Sequence, residues 1–196
     1  MRNPPLHAAR PAGGTGVLAQ VRTATRATHD AIDTLLPFGL RDLASYRRYL
    51  GALLPLAEWL AGPERGSWPE AASSWHDAGR LDCLRADCAR LGVDAAPAGD
   101  PPPSWLHWLG GCYVIEGSAL GARLLSRHAA ELAKADPGVR EARRFLAHIT
   151  SEPPRWRRFV HLLDALPESD AAAVASGARD GFAIVHARLA HGGTPA

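Results

Sequence analysis

The chain of 196 residues is long enough for one domain with a substantial core, and its 46% hydrophobic and 21% charged residues are typical of a globular protein. A net charge of only +2 gives no strong attraction to nucleic acid, and three cysteines are too few for a disulfide scaffold or a four-thiolate zinc site. No stretch reaches the roughly 18 uninterrupted apolar residues of a membrane span, so we expect a cytoplasmic protein with neither a nucleic-acid nor a membrane partner.

The pattern of apolar residues predicts helices along the whole chain and no strand. The start of the chain lacks the apolar core of a signal peptide, and we expect residues 1–15 to be a disordered tail. One helical domain is expected over 16–192, followed by a short C-terminal tail, 193–196. Asp42 and Ser104 are expected as N-caps. The predicted helices are 17–36, 42–61, 78–92, 104–134, 137–150, 154–166 and 169–191. The sequence therefore predicts an all-α single domain of about seven helices.

The first predicted helix carries a histidine, His29, among two arginines and four threonines. Arg22 precedes it by two helical turns, about 10 Å along the axis, so both side chains lie on one face. Asp33, one turn further on, is placed to influence the imidazole, which is a good ligand for iron or zinc. The simpler interpretation of this helix alone is that His29 is an ordinary core or surface histidine and that Arg22 and Arg26 form a solvated basic edge.

The longest predicted helix contains a stripe of glycines, because Gly110, Gly117 and Gly121 fall at i, i+7 and i+11. Each glycine inside a helix costs about 1 kcal/mol relative to alanine, so bare backbone on this face should serve a purpose. One purpose is close helix packing. The other is close approach to a flat ligand, with Gly117 and Gly121 permitting a bend. Opposite His29, such a surface suits haem better than zinc, because no further ligands stand at zinc spacing.

Two segments, "VRTATRATHDAID" (21–33) and "YVIEGSALGARLL" (113–125), resemble the haem oxygenases, particularly the bacterial biliverdin-producing type that is often associated with bacteriophytochromes. The likeness extends over about 17–190 and includes "RFLAHITSEPPRWRRFVHLLDAL" (144–166). It implies that haem binds between a proximal helix and a kinked distal helix. It also implies an enzyme that uses O₂ and external electrons to open haem, its cofactor and substrate, to biliverdin, CO and ferrous iron.

The resemblance implies a set of site residues. His29 would be the proximal iron ligand, with Asp33 as its acidic neighbour. The residues that match the distal catalytic motif are Gly117, Ser118 and Gly121, and those that match haem-binding positions, mostly near the propionates, are Arg22, Arg26, Ala122, Arg157 and His161. Ala122 departs from the Gly-Gly pair of many members. Ser118 stands where animal members have an aspartate that organises distal water, and bacterial relatives commonly have serine there.

The resemblance also implies partners, namely an electron donor of the ferredoxin or reductase type and a bacteriophytochrome as a candidate recipient of biliverdin. The alternative function is a haem-binding module without turnover, such as a carrier or sensor on the same fold. A di-iron oxygenase is disfavoured because no convincing Glu-x-x-His pairs arise among Glu58, Glu116, His128, Glu131 and His148. A thiaminase-like enzyme would need a nucleophilic cysteine, for which Cys112 is the candidate.

The remaining aromatic residues and histidines are assigned to structure. We expect the tryptophans to be core or loop residues without ligand contacts, namely Trp59, Trp68, Trp75, Trp105, Trp108 and Trp156. No metal-binding role is expected for the histidines without a partner at ligand spacing, which are His107, His128, His148, His186 and His191.

Overall fold

A computed structural model of the chain describes residues 16–36, 39–62, 68–94, 97, 99–151 and 155–191. Within these residues there are ten α-helices, one 3-10 helix (Glu168–Asp170) and no strand, which confirms the all-α prediction. Both predicted tails lie outside the described residues. The helices are α1 (Val17–Leu35), α2 (Leu43–Ala61), α3 (Glu70–Ser73), α4 (Ala78–Arg90), α5 (Trp105–Ser118), α6 (Ala122–Ala135), α7 (Pro137–Glu141), α8 (Arg144–Ser151), α9 (Trp156–Asp164) and α10 (Ala171–His191).

Two helix starts follow from local sequence, as predicted. The Asp42 carboxylate accepts a hydrogen bond from the Ser45 backbone N–H (2.7 Å), while the Ser45 hydroxyl accepts one from the Asp42 N–H (3.0 Å), which is a complete capping box for α2. The Ser104 hydroxyl accepts from the His107 N–H (3.2 Å) and caps α5. These caps set where α2 and α5 begin.

The core is organised around α10, which packs against α1, α2 and α5. The contact between α5 and α10 is close because glycines on each helix face the backbone of the other. A Cβ added at Gly110 would overlap the Val174 carbonyl oxygen, and one at Gly177 would lie 2.6 Å from the His107 carbonyl carbon. Backbone can therefore lie against backbone only because both side chains are absent.

The prediction of one continuous helix over 104–134 is wrong. The helix ends at Ser118 and resumes at Ala122. Between them the Leu120 N–H donates to the Gly117 carbonyl (3.1 Å) and the Ala122 N–H to the Ala119 carbonyl (3.2 Å), so tight i→i+3 bonds replace the α-helical ladder. This interruption, residues 119–121, lies next to the glycines where a bend was expected.

Other predicted boundaries also need correction. The helix predicted over 137–150 is two helices, α7 and α8, and the short α3 was not predicted. Helix α8 is capped by a residue that is distant in the sequence. The buried Asp87 carboxylate accepts hydrogen bonds from the Arg144 N–H (3.1 Å) and the Phe145 N–H (2.8 Å). Burial raises the pKa of Asp87, and these two hydrogen bonds oppose the rise. The predicted helix start at Pro153-Pro154 lies outside the described residues.

Candidate functional site

His29 lies at a partly exposed edge of α1, with 38% of its side chain accessible. Its Nδ1 is 3.3 Å from the Asp33 carboxylate, which confirms that Asp33 is placed to influence the imidazole. The ring meets Phe182 of α10 edge-on, with 5.8 Å between the ring centroids. A carboxylate at Nδ1 is the usual orienting partner of a histidine that binds metal through Nε2.

Aromatic side chains connect the His29 face of α1 with α5 and α9. Tyr113 contacts Phe182 on one side (centroids 6.4 Å apart) and Trp156 on the other (5.4 Å), and we call these three residues the aromatic cluster. Burial raises the pKa of Tyr113, while interactions with Arg22 and Thr25 of α1 oppose the rise. The predicted proximal and distal helices thus meet the same aromatic cluster.

The predicted glycine stripe serves two different purposes. Gly110 packs against α10, so its place in a ligand-facing stripe is wrong and the packing explanation holds for it. A Cβ at Gly117 would lie 3.6 Å from the Trp156 ring, and one at Gly121 would lie 3.9 Å from the Ser118 carbonyl oxygen; both are ordinary contact distances. Internal packing among the described residues does not require glycine at 117 or 121. Bare backbone at these positions suits the close approach of a flat ligand.

The other predicted site residues stand on α1, at the junction of α5 and α6, and on α9. The Ser118 hydroxyl donates to the Ile115 carbonyl (2.8 Å), within its own helix. Ala122 is fully buried at the start of α6. Exposed side chains on α1 and on α9, which pack against each other, include Arg22, Arg26, Arg157 and His161. Ligand contacts by these residues stay predictions.

A buried group of charges lies beside the distal glycines and was not predicted. Glu116, only 2% exposed, pairs with Arg80 (Nη2–Oε1 2.8 Å) and with Arg155 (Nη2–Oε1 3.3 Å). Arg155 also donates to Asp77 (3.1 Å), and Asp77 lies 3.1 Å from Nε2 of His148. We call Asp77, Arg80, Glu116 and Arg155 the ion network. It joins the start of α4, the end of α5 and the start of α9.

The ion network borders a cavity of about 130 Å³ whose lining also includes Leu120, Arg123 and Trp156. Nε of the buried Arg80 has no hydrogen-bond partner among the described residues, since Asp77 lies 3.6 Å away. A polar cavity of this size has room for several water molecules. Burial and ion pairing make this corner of the site polar, whereas the aromatic cluster is apolar.

Because of the ion network, the contribution of Asp77 to the free energy of unfolding depends on pH. Although burial acts to raise the pKa of Asp77, the Arg80 cation and a hydrogen bond from His148 outweigh it and hold the pKa below the ordinary value of 3.8. Because the pKa is lower in the folded state, the resulting stability is fully present above pH 3.8 and is lost as the pH falls through the folded-state pKa. We expect Asp77→Asn to lower the melting temperature at pH 7 by about 5 °C.

Thermal unfolding followed by circular dichroism between pH 7 and about pH 3 tests this expectation. The difference in melting temperature between Asp77→Asn and the unchanged protein should become smaller toward about pH 3. Asp82→Asn changes an exposed carboxylate, and its melting temperature should equal that of the unchanged protein at every pH. A gap that stays constant with pH would contradict the assignment of this stability to the charge of Asp77.

Two features of the described residues bear on the type of site. Within the described residues no group of three or more His, Cys, Asp or Glu side chains is arranged to hold a metal ion. A haem needs only one protein ligand, and the assignment of that role to His29 stays a prediction. None of the described helices is both long enough and apolar enough to span a membrane.

Comparison with known proteins shows a clear similarity in sequence. A protein of Xanthomonas campestris pv. campestris (strain 8004), named heme oxygenase, is 37% identical to this chain over 122 residues. The aligned stretch covers 60% of this chain and 72% of that protein. No protein-family model matches the chain.

Proposed function

Because this chain belongs to the haem oxygenase family, we propose that it opens haem to biliverdin, CO and ferrous iron with O₂ and electrons from an external donor. The observation that carries the proposal is the His29–Asp33 pair on α1, which shares the aromatic cluster with the helix that carries Gly117. Haem is the substrate as well as the cofactor in this reaction.

On this proposal His29 holds the iron through Nε2, and Asp33 orients the ring by accepting the Nδ1 proton. When bound, haem supplies the iron that activates O₂ and the ring carbon that is oxidised. A neutral imidazole suits this reaction, since a thiolate ligand would favour cleavage of the O–O bond before the ring is attacked. The bare backbone at Gly117 and Gly121 lets the haem ring approach the helix closely. Ser118 supplies the side-chain hydroxyl of that motif.

Three arginines and one histidine on two neighbouring helices are assigned to the haem propionates. Arg22 and Arg26 lie on α1, and Arg157 and His161 lie on α9 at i and i+4. Guanidinium groups bind carboxylates with two parallel hydrogen bonds, so they would fix how the ring is rotated in its plane. Ala122, next to the distal motif, is assigned to the wall of the pocket.

The cellular setting is proposed from the cysteines and the partners from the family resemblance. None of the three cysteines, all within the described residues, is in a disulfide, which fits a reducing compartment such as the cytoplasm. On the family resemblance, we assign electron supply to a ferredoxin or reductase and receipt of biliverdin to a bacteriophytochrome.

Reconstitution with haemin tests the proposed function. After addition of a reductant and O₂, the Soret band should disappear while biliverdin absorbance and CO appear. A Soret band that persists without biliverdin would favour the non-catalytic haem carrier or sensor. Failure of the protein to take up haemin at all would contradict both functions.

Gly117→Ala separates ligand approach from packing. The added methyl has ordinary contact with Trp156, and alanine favours the helix, so the unliganded protein should melt at the same temperature or slightly higher. The same methyl would stand between the helix and a flat ligand, and we expect haemin affinity to fall about tenfold, measured by Soret titration. Unchanged affinity would show that this backbone does not approach the ligand.

A further inference from the structure

Two adjacent pairs of residues on different helices face each other beside the proposed haem site. Glu116-Gly117 lies at the end of α5, and Arg155-Trp156 lies at the start of α9. Glu116 and Arg155 form an ion pair (Nη2–Oε1 3.3 Å). Beside them, the Trp156 ring lies 3.6 Å from where a Cβ of Gly117 would be. The ion pair therefore sets the distance between Gly117 and the indole.

Arg155 is held firmly enough to transmit this constraint. Besides Glu116, its guanidinium donates to the Asp77 carboxylate (3.1 Å) and the Trp75 carbonyl (3.1 Å), and it lies 5.0 Å from the centre of the Trp75 ring. Buried charges with several fixed partners do not move independently of them. The backbone that leads from Arg155 into Trp156 is consequently fixed on one side by Glu116.

The Trp156 side chain itself is half-buried. Its indole stacks on Phe159 (centroids 6.3 Å apart, planes 29° apart) and contacts Tyr113, and it also lines the cavity beside the ion network. A flat ligand that reaches the Gly117 backbone must touch or displace this ring, because the ring already stands at van der Waals distance from the position of the absent Cβ.

We propose that Trp156 is a haem-contacting residue and that Glu116 is a positioning residue that acts on haem through Arg155 and Trp156. This inference rests on the proposed function. It gives a ligand-binding role to a tryptophan that the sequence alone assigned to the core, and it gives a purpose to a buried carboxylate that touches no part of the proposed substrate.

The test is a double-mutant cycle on the rate at which haemin leaves the protein, followed at the Soret band with an excess of apomyoglobin as scavenger. We expect Trp156→Ala to raise this rate by about tenfold or more and Trp156→Phe, which keeps a ring, to raise it less. Glu116→Gln should raise the rate severalfold in the unchanged background. In the Trp156→Ala background the same substitution should change the rate by less than about twofold.

Melting temperatures of the unliganded variants distinguish an effect of Glu116 on the position of Trp156 from an effect on the stability of the fold. Glu116→Gln should lower the melting temperature in both backgrounds, since Arg80 and Arg155 lose the same charged partner in each. Two controls match the changes made: Trp68→Ala removes a half-buried tryptophan that contacts Trp108, and Glu58→Gln removes a carboxylate paired with Arg85. Neither control should alter the haemin release rate.

An unchanged release rate in both Trp156 variants would overturn the contact role. A Glu116→Gln effect of equal size in the two backgrounds would overturn the positioning role. These outcomes are distinct from failure of the proposed function, in which the unchanged protein would either take up no haemin or hold it without forming biliverdin.

Discussion

Replacement of His29 by alanine is expected to abolish axial ligation of haem iron and formation of biliverdin. Haemin affinity should fall about 100-fold or more, because the proposed protein ligand to the iron is removed while the other proposed haem contacts are kept. The unliganded variant should melt close to the unchanged protein, since the side chain is 38% exposed and its pairing with Asp33 is local, within α1. Absorption and electron paramagnetic resonance spectra of the ferric complex measure the ligation.

Imidazole added to His29→Ala sharpens this experiment. If the variant retains the pocket and lacks only the ligand, free imidazole should restore the spectrum of a histidine-bound haem. His107→Ala is a matched control, because that histidine also pairs with a carboxylate, Asp180 (2.9 Å), but lies at the other end of α5 from Gly117. A His29→Ala protein with an unchanged spectrum would place the iron ligand elsewhere.

Gly110→Ala is expected to have the largest effect on stability of any substitution considered. The new Cβ would overlap the Val174 carbonyl oxygen and lie 2.5 Å from the Ala178 backbone nitrogen. Neither atom belongs to a flexible side chain, so the two helices must separate along their whole contact. We expect a loss of about 4 kcal/mol or more, which is a large part of the total stability of a domain of this size.

Urea unfolding followed by circular dichroism measures this loss, and Gly117→Ala is the matched control, because it makes the same chemical change in the same helix. The free energy of unfolding of Gly110→Ala should lie below that of Gly117→Ala by nearly as much as it lies below that of the unchanged protein. A Gly110→Ala protein as stable as the unchanged one would mean that α5 and α10 are farther apart than described.

The features that the sequence predicted correctly depend on neighbours in the chain. The Asp42 and Ser104 caps and the His29–Asp33 pair each join residues three or four positions apart, and helix geometry places such residues together. The helix periodicity likewise determined the all-α class. Spacing also put Gly110 and Gly117 on one face, but it could not tell which neighbour each glycine meets.

The features that the sequence did not predict depend on distant partners. Asp87 caps a helix 57 residues further along the chain, and Glu116 is paired with Arg80, 36 residues before it. The role proposed for Trp156 follows only from its position against Gly117. The helix interruption at 119–121 has no proline to mark it, and its backbone angles at Ala119 and Gly121 are still helical. The local sequence therefore predicts a continuous helix across residues 119–121.

The glycines that bring α5 and α10 together also restrict how the molecule can open. Two helices in direct backbone contact cannot slide or tilt without losing that contact along their length, so they should move as one rigid body. Amide hydrogens in α5 and α10 should accordingly exchange most slowly with solvent. We therefore expect α5, which carries Gly117, to stay still while helices outside this pair move to admit a bulky ligand.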